Sequence, residues 1–356
     1  MNERSAPPAI ERHRLVYRWD LDKTYLRTEF DSVRDWVKTA FETARDKQTV
    51  PGAGALLREI RTAEPFGIYI VSGSPEQLRR VLEAKLRLDG VRWDGLVLKP
   101  QLTNILRGRF RSVKDQVGYK LAALLETRAN FPTDIDEYMF GDDAEADAFI
   151  YAFYADLVSG RVTPALLMQV LEVSGTYPDA IPPLVRLAER VPRGGRARRI
   201  FIHLDRVSPS DSFLDLGPRV CAFHNYFQPA LVLLAHGALD ALSVLRVGGE
   251  LLGEHGFTPD ALVASYADLV LRGQIGGAAA RALVACMESA DDASLAQEGP
   301  RLRAFVELLA KEPLHDVEEP PEPIVTDVDY LEFFRKDKKR ARAAKLRSMG
   351  RDPRKP

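Results

Sequence analysis

Cysteine is almost absent from this chain. Cys221 and Cys286 are the only two in 356 residues, too few for a disulfide framework or a cysteine-rich metal site, and such usage suits a reducing cytoplasm. Long apolar runs are missing too. The greasiest stretch, Pro229 to Leu245, is interrupted by His236 and Asp240 and is too short to span a bilayer, so it reads as buried helix. Met1 to Arg14 is polar and charged, without the apolar centre of a secretory signal. Histidine is sparse: His203, His224 and His236 stand in apolar surroundings without metal-ligand spacing and read as satisfied structural residues. Trp19 and Trp93 read as packing residues, and no internal repeat is evident. What remains, 46% hydrophobic and 28% charged, is the composition of a soluble globular protein long enough for two domains, or for one large domain with additions.

A net charge of −1 hides an uneven distribution. Arg335 to Pro356 carries eleven Lys and Arg against two Asp, while the rest holds 39 basic and 49 acidic residues. A tail of this kind can meet a membrane surface or nucleic acid, or can be a solvated, partly helical extension. Ahead of it, Asp316 to Asp329 is rich in Glu, Asp and Pro, a linker composition.

The order of elements is that of an α/β fold, a doubly wound parallel sheet. Leu15 to Trp19 and Phe66 to Val71 are continuous apolar, β-rich runs, Gly95 to Leu98 and Glu137 to Phe140 shorter ones, and Arg199 to His203 continues the sheet. Helices are expected over Ser32–Arg45, Ala53–Ile60, Glu76–Leu88 and Leu121–Leu125, with Ser74 capping the third and Pro75 in its first turn. Thr163 to Arg190 reads as a helical insertion. From Pro218 onward no strong strand is evident; Gln228–Leu245, Thr258–Leu271, Gly277–Met287 and Pro300–Lys311 read as helical.

Strand ends carry the chemistry. The first run empties into Asp20-Leu21-Asp22-Lys23-Thr24, the second into Ser72-Gly73-Ser74-Pro75, the fourth into Gly141-Asp142-Asp143, with Asp147 close behind and Lys114 and Lys120 in between. Ligands in open α/β sheets sit just beyond the carboxyl ends of strands. A phosphate dianion repels an attacking carboxylate, so such a site must first neutralise charge. A magnesium ion (Mg2+) on two or three carboxylates, a lysine, and the backbone donors of a helix start can do so together. A second acid then protonates the leaving alkoxide and later deprotonates water.

On these motifs the chain resembles the haloacid dehalogenase (HAD) superfamily of phosphohydrolases. The resemblance implies Asp20 as nucleophile, Asp22 as general acid/base and donor of its backbone carbonyl to the metal, and Ser72, with Gly73 and Thr24, around the phosphate. It implies Asp142 as a direct metal ligand and Asp147 or Asp143 on the metal's water shell, Asp147 being favoured by spacing. Asp22 favours phosphatase over dehalogenase chemistry. Pro51-Gly52-Ala53, Val71-Ser72-Gly73-Ser74-Pro75, Lys120-Leu121 running to Phe131-Pro132, and Phe140-Gly141-Asp142-Asp143-Ala144-Glu145-Ala146-Asp147 are similar to the catalytic domain of actin-patch-type phosphatidate phosphatases and their bacterial relatives. That resemblance covers Leu15 to Arg206. It makes Lys120 the motif lysine, with Lys114 the alternative.

Neither Tyr25–Gly67 nor Glu76–Gly118 has room for a full cap domain, which implies an open site able to admit a bulky substrate; Thr163–Arg190 or Pro218–Lys311 are the segments available to cover it. The expected organisation is a flexible 1–13, a phosphatase domain over 14–215, a helical region over 216–314, and a linker and basic tail over 315–356. The function expected is cytoplasmic, magnesium-dependent phosphomonoester hydrolysis. The alternatives are a scaffold or binding protein retaining the core for its fold, and a nucleic-acid end phosphatase, for which no aromatic–basic groove is evident.

Overall fold

The computed structural model describes residues 11–27, 48–99, 116–205, 208–289, 299–323, 325 and 327–336. Helix Ser32–Arg45, Lys114, most of the basic tail and the two loops judged too short for a cap lie wholly or partly outside the described residues.

Six strands form one parallel sheet: β1 (Leu15–Trp19), β2 (Gly67–Pro75), β3 (Gly95–Lys99), β4 (Asp136–Asp142), β5 (Ala197–His203) and β6 (Val220–Phe223), in the order β3-β2-β1-β4-β5-β6. The chain leaves β1 toward β2 on one side and returns to β4 on the other. β1 and β4 are therefore neighbours at the point where the winding reverses, and their carboxyl ends open a crevice there. In register, Trp19 faces Phe140, and Asp142 faces His203.

Both faces of the sheet are buried, so the strands are apolar throughout instead of alternating. One face presents Tyr17, Trp19, Ile70, Phe140, Phe201 and Phe223 to helices α1 (Ala53–Thr62) and α2 (Arg79–Leu88). The carboxyl-terminal helices, α7 (Phe227–Ala235), α8 (Ala241–Gly253), α9 (Pro259–Leu271), α10 (Ala278–Ser289) and α11 (Gly299–Leu309), pack into the same apolar cluster. The other face presents Val71, Met139, Ile200 and Ile202 to α3 (Gln116–Arg128) and α4 (Asp147–Val158). The expected insertion is a helix pair, α5 (Pro164–Ser174) and α6 (Ile181–Arg190), whose apolar residues join this second layer beside α3 and α4. Every residue of α4 is buried, as its lack of a polar stripe requires.

Arg18, polar in an apolar strand, is completely buried beneath the sheet. Its Nε donates to Glu137 Oε2 at 2.7 Å, and Glu137 Oε1 also accepts from Arg128 and Tyr154. A buried charge persists only when paired and hydrogen-bonded in this way.

Three expectations need correction. β6 lies inside the stretch expected to be helical; its four buried residues, Val-Cys-Ala-Phe, extend the sheet by one strand. Second, Gln228–Leu245 is two helices, broken at Gly237 (φ 72°) and restarted by Asp240, whose carboxylate accepts from Ser243 N. Third, Ser74 caps nothing. β2 runs on to Pro75 with a bulge between Ser72 and Pro75, a 3-10 turn follows at Glu76–Leu78, and α2 starts only at Arg79. The helix amino terminus expected beside Ser72 is therefore several residues further on.

The acidic linker is also no free tether over its described part. Glu319 accepts from Gly276 N and Ala278 N at 2.8 and 3.0 Å, capping α10 from outside. Residues 330–336 are helical and dock on α4. Tyr330 donates to Asp156 and to the Ala152 carbonyl beside Phe153, and Phe333 and Phe334 reach Phe149 one turn nearer the start of α4.

Candidate active site

Beyond Trp19 the chain folds back tightly. Tyr25 N and Leu26 N both donate to the Leu21 carbonyl, Lys23 N to Leu26, and Lys23 adopts a left-handed φ of 61°. Such a conformation in a non-glycine residue is held against strain of about 1–3 kcal/mol. The fold-back sets Asp20 and Asp22 apart. Asp20 stays at the mouth of the β1–β4 crevice, its amide on the Phe140 carbonyl at 2.8 Å, while Asp22 turns to β2.

Asp22 Oδ2 accepts from Ser72 Oγ at 2.9 Å and from Ser74 Oγ at 2.7 Å, and Ser72 Oγ accepts in turn from Ser74 N. Tyr119 pins the same corner by donating to the Ser72 carbonyl at 3.0 Å. Ser72 is thus engaged with Asp22. Gly73 stands in the bulge with open space where a Cβ would be. Thr24 is buried with Oγ1 unpartnered, and its carbonyl accepts from Tyr226.

At the centre stands Lys120, wholly buried on α3. Its Nζ lies 2.8 Å from Asp20 Oδ1, 2.8 Å from Glu145 Oε2 and 2.5 Å from Asp147 Oδ1. Asp142 completes the group: Oδ1 accepts from Ala144 N and Glu145 N, bending the chain into α4, and Asp147 Oδ2 faces Asp142 N at 3.4 Å. Asp143 points elsewhere, to Ser208 N at 3.0 Å. Gly141 is required here by close approach, because a Cβ on it would stand 2.5 Å from Asp147 Cβ.

The electrostatics follow from four carboxylates around one ammonium in a dry space. Burial raises Asp20 well above the usual carboxylate range; Lys120 opposes it, and Asp147, Glu145 and Asp142 add to it. Burial likewise raises Asp142, with Asp147 and Glu145 pushing the same way, and it raises Asp147 to about 6 against the pull of Lys120. Burial would raise Glu145 also, but Lys120 outweighs it and holds this carboxyl below its ordinary value. For Lys120 the three carboxylates outweigh burial and raise the ammonium well up. Asp22 is raised by burial against its serine hydrogen bonds.

Two oxygens, Asp20 Oδ2 and Asp142 Oδ2, are buried without a hydrogen-bond partner. Asp20, Glu145 and Asp147 also each offer an oxygen within 4.8 Å of the others. Buried polar atoms are seldom left unsatisfied, and an all-oxygen, net-negative donor set is the kind that hard divalent cations take. The residues fit such an ion.

Residues 19–168 match the model of the phosphatidate phosphatase APP1 catalytic domain. The matched span, less than half of the chain, runs from the end of β1 into α5 and holds Asp20, Asp22, Ser72, Lys120, Asp142, Glu145 and Asp147; β5, β6 and the carboxyl-terminal helices lie outside it. No curated protein and no solved structure gives a significant match.

Sequence reasoning gave no role to Glu145, one of four acids in Gly-Asp-Asp-Ala-Glu-Ala-Asp, nor to Ser74 as a partner of Asp22. It also missed a cavity of about 760 Å3 beside the cluster, lined by Lys23, Arg27, His203, Asp205 and His224 among others. Its walls come from distant parts of the chain, a grouping that no local motif signals.

Proposed function

We propose that the protein is a magnesium-dependent phosphohydrolase of the haloacid dehalogenase type, cleaving phosphomonoesters through an aspartyl-phosphate on Asp20. The observation that carries this reading is the state of Asp20 itself. One oxygen is fixed by Lys120, and the other is buried and unpartnered at the mouth of the crevice. The family match supports a phosphatidate-like substrate.

In this reading Asp20 Oδ2 forms a bond to phosphorus while the bond to the leaving oxygen breaks. Its electron pair stays on the alkoxide, which takes a proton from Asp22. Oδ2 of Asp22 accepts both serine hydroxyls, which leaves Oδ1 to carry that proton, and burial keeps the acid protonated to higher pH than usual. Asp22 then removes a proton from water, which attacks phosphorus, frees phosphate and restores Asp20. Lys120 holds Asp20 in line and offsets charge, while Ser72, Gly73 and Thr24 border the phosphate. Asp20, the Asp22 carbonyl, Asp142 and Asp147, with Glu145 beside them, would hold the ion; when bound, Mg2+ supplies neutralisation of the phosphate and carboxylate charges.

Hydrolysis of an aryl phosphate with Mg2+ and with chelator tests this. Chelation is expected to abolish turnover, and Asp20→Asn to cost about 10³-fold or more, as loss of a nucleophile does. Equal rates for Asp20→Asn and the parent would sink the proposal. Without substrate, Mg2+ is expected to raise the melting temperature, and Asp142→Asn to shrink that shift.

A further inference from the structure

The cavity beside the carboxylate cluster has a chemistry of its own. Lys23 and Arg27 stand at its rim, opposed there by the Asp205 carboxylate, and His203 lies on its floor, 8% exposed. His203 Nδ1 is 3.0 Å from the Lys23 carbonyl. A carbonyl oxygen only accepts, so Nδ1 carries the hydrogen, and Nε2 of the neutral ring is left as an acceptor. The cavity adjoins the reacting centre from two sides. Lys23 directly follows Asp22, and its ammonium helps to lower the Glu145 carboxyl; His203 is the register partner of Asp142.

If phosphate is attacked at Asp20, the alcohol half of the ester must leave through neighbouring space, and this cavity comes next to the site through Lys23 and His203. We propose that it holds the leaving group, and that the leaving group is a hydroxylated alcohol bearing a second anionic group, a phosphate or a carboxylate. The inference rests on the phosphohydrolase reading and narrows its substrate class. Among the charged residues of the lining, Lys23 and Arg27 outnumber Asp205 by one, a surplus matched to one further anion. The Nε2 acceptor on the floor is matched to a hydroxyl. A neutral glyceride would satisfy neither. The volume is in the range of small-molecule sites.

The test compares esters whose alcohol half lacks or carries a second anion, for the parent and for Arg27→Gln. In the soluble arm these are fructose 6-phosphate and fructose 1,6-bisphosphate; in the vesicle arm, phosphatidate and phosphatidylinositol 4-phosphate in one phosphatidylcholine background. An aryl phosphate serves as the cavity-independent control. The parent is expected to prefer the doubly anionic member in kcat/KM by about tenfold. Arg27→Gln is expected to erase that preference and spare the aryl phosphate, since one charge-assisted contact is worth about that factor. A preference confined to the soluble or to the vesicle arm identifies the source of the anion. No preference in either arm, or an equal loss on the aryl phosphate, overturns the proposal. Should the parent hydrolyse nothing, the phosphohydrolase reading fails separately. The cavity is then judged by melting temperature: extra stabilisation by the bisphosphate that Arg27→Gln removes supports an anion site there, and equal shifts overturn it.

Discussion

Gly141 has no side chain because Asp147 occupies the place where one would be. An alanine there would put its Cβ between 2.5 and 2.9 Å from three Asp147 atoms, and Asp147 would have to withdraw from Lys120. Displacements of about 1 Å at a catalytic centre can cost about 100-fold. Gly141→Ala is therefore expected to lower kcat/KM on an aryl phosphate by about one to two orders of magnitude, while circular dichroism shows the fold retained. Full activity in that variant would show that Asp147 has no fixed task. This residue also marks how far the chain itself speaks. Asp20, Asp22 and Asp142 fall in short local motifs at strand ends, with Asp147 just behind and Lys120 in a helix, so reading the sequence led to residues that the fold does bring near one another. Glu145 escaped because spacing alone does not tell which of several neighbouring acids turns inward. Lys23, Arg27 and His203 escaped because their meeting depends on β5 lying beside β4.

At the scale of elements, five strands, the short β3 included, and most helices were legible, while β6 and the irregular end of β2 were not. β6 is four residues long, an apolar run that periodicity alone does not tell from buried helix. Ser74 and Pro75 have the look of a helix start, but the bulge in β2 and the hydrogen bond to Asp22 claim them instead. The aromatic residues Tyr330, Phe333 and Phe334 were lost among charges, although they anchor the last described segment to α4. Tyr330 OH meets Asp156, which Arg219 and Arg161 also hold, at 2.7 and 2.5 Å. Removing the hydroxyl leaves a buried carboxylate short of a donor. Tyr330→Phe is accordingly expected to cost about 1–3 kcal/mol in urea unfolding, and Tyr330→Ala more, through loss of the ring. An unchanged midpoint in both would mean that the segment does not dock in solution.

Taken whole, the molecule binds its carboxyl-terminal helices to the same sheet face as α1 and α2, and one titration reports on that union. His236, at the end of α7, meets Tyr138 of β4 at 3.0 Å. Burial, reinforced by Arg199, Arg198 and Arg196, lowers its pKa to about 3. The folded state therefore refuses a proton that the unfolded chain accepts near pH 6.5. Stability from this group is complete above pH 6.5 and is lost as pH falls toward 3. Acidification from pH 7 to 4.5 should destabilise the parent more than His236→Gln, by roughly 2–3 kcal/mol, measured by denaturant titration at both pH values. A slope identical in the two proteins would refute the assignment. Among the described residues no helix is long and apolar enough to cross a membrane; contact with an anionic surface is an expectation for the basic tail. The climb of residues 330–334 along α4 bears on this. Tyr330 sits by Asp156, and Phe334 sits by Phe149, two residues from Asp147. Arg335 and Lys336, the first residues of the basic run, are thus moored near the start of α4, and an anion drawn to them would meet the Asp147 cluster at a concentration set by the mooring rather than by the bulk solution.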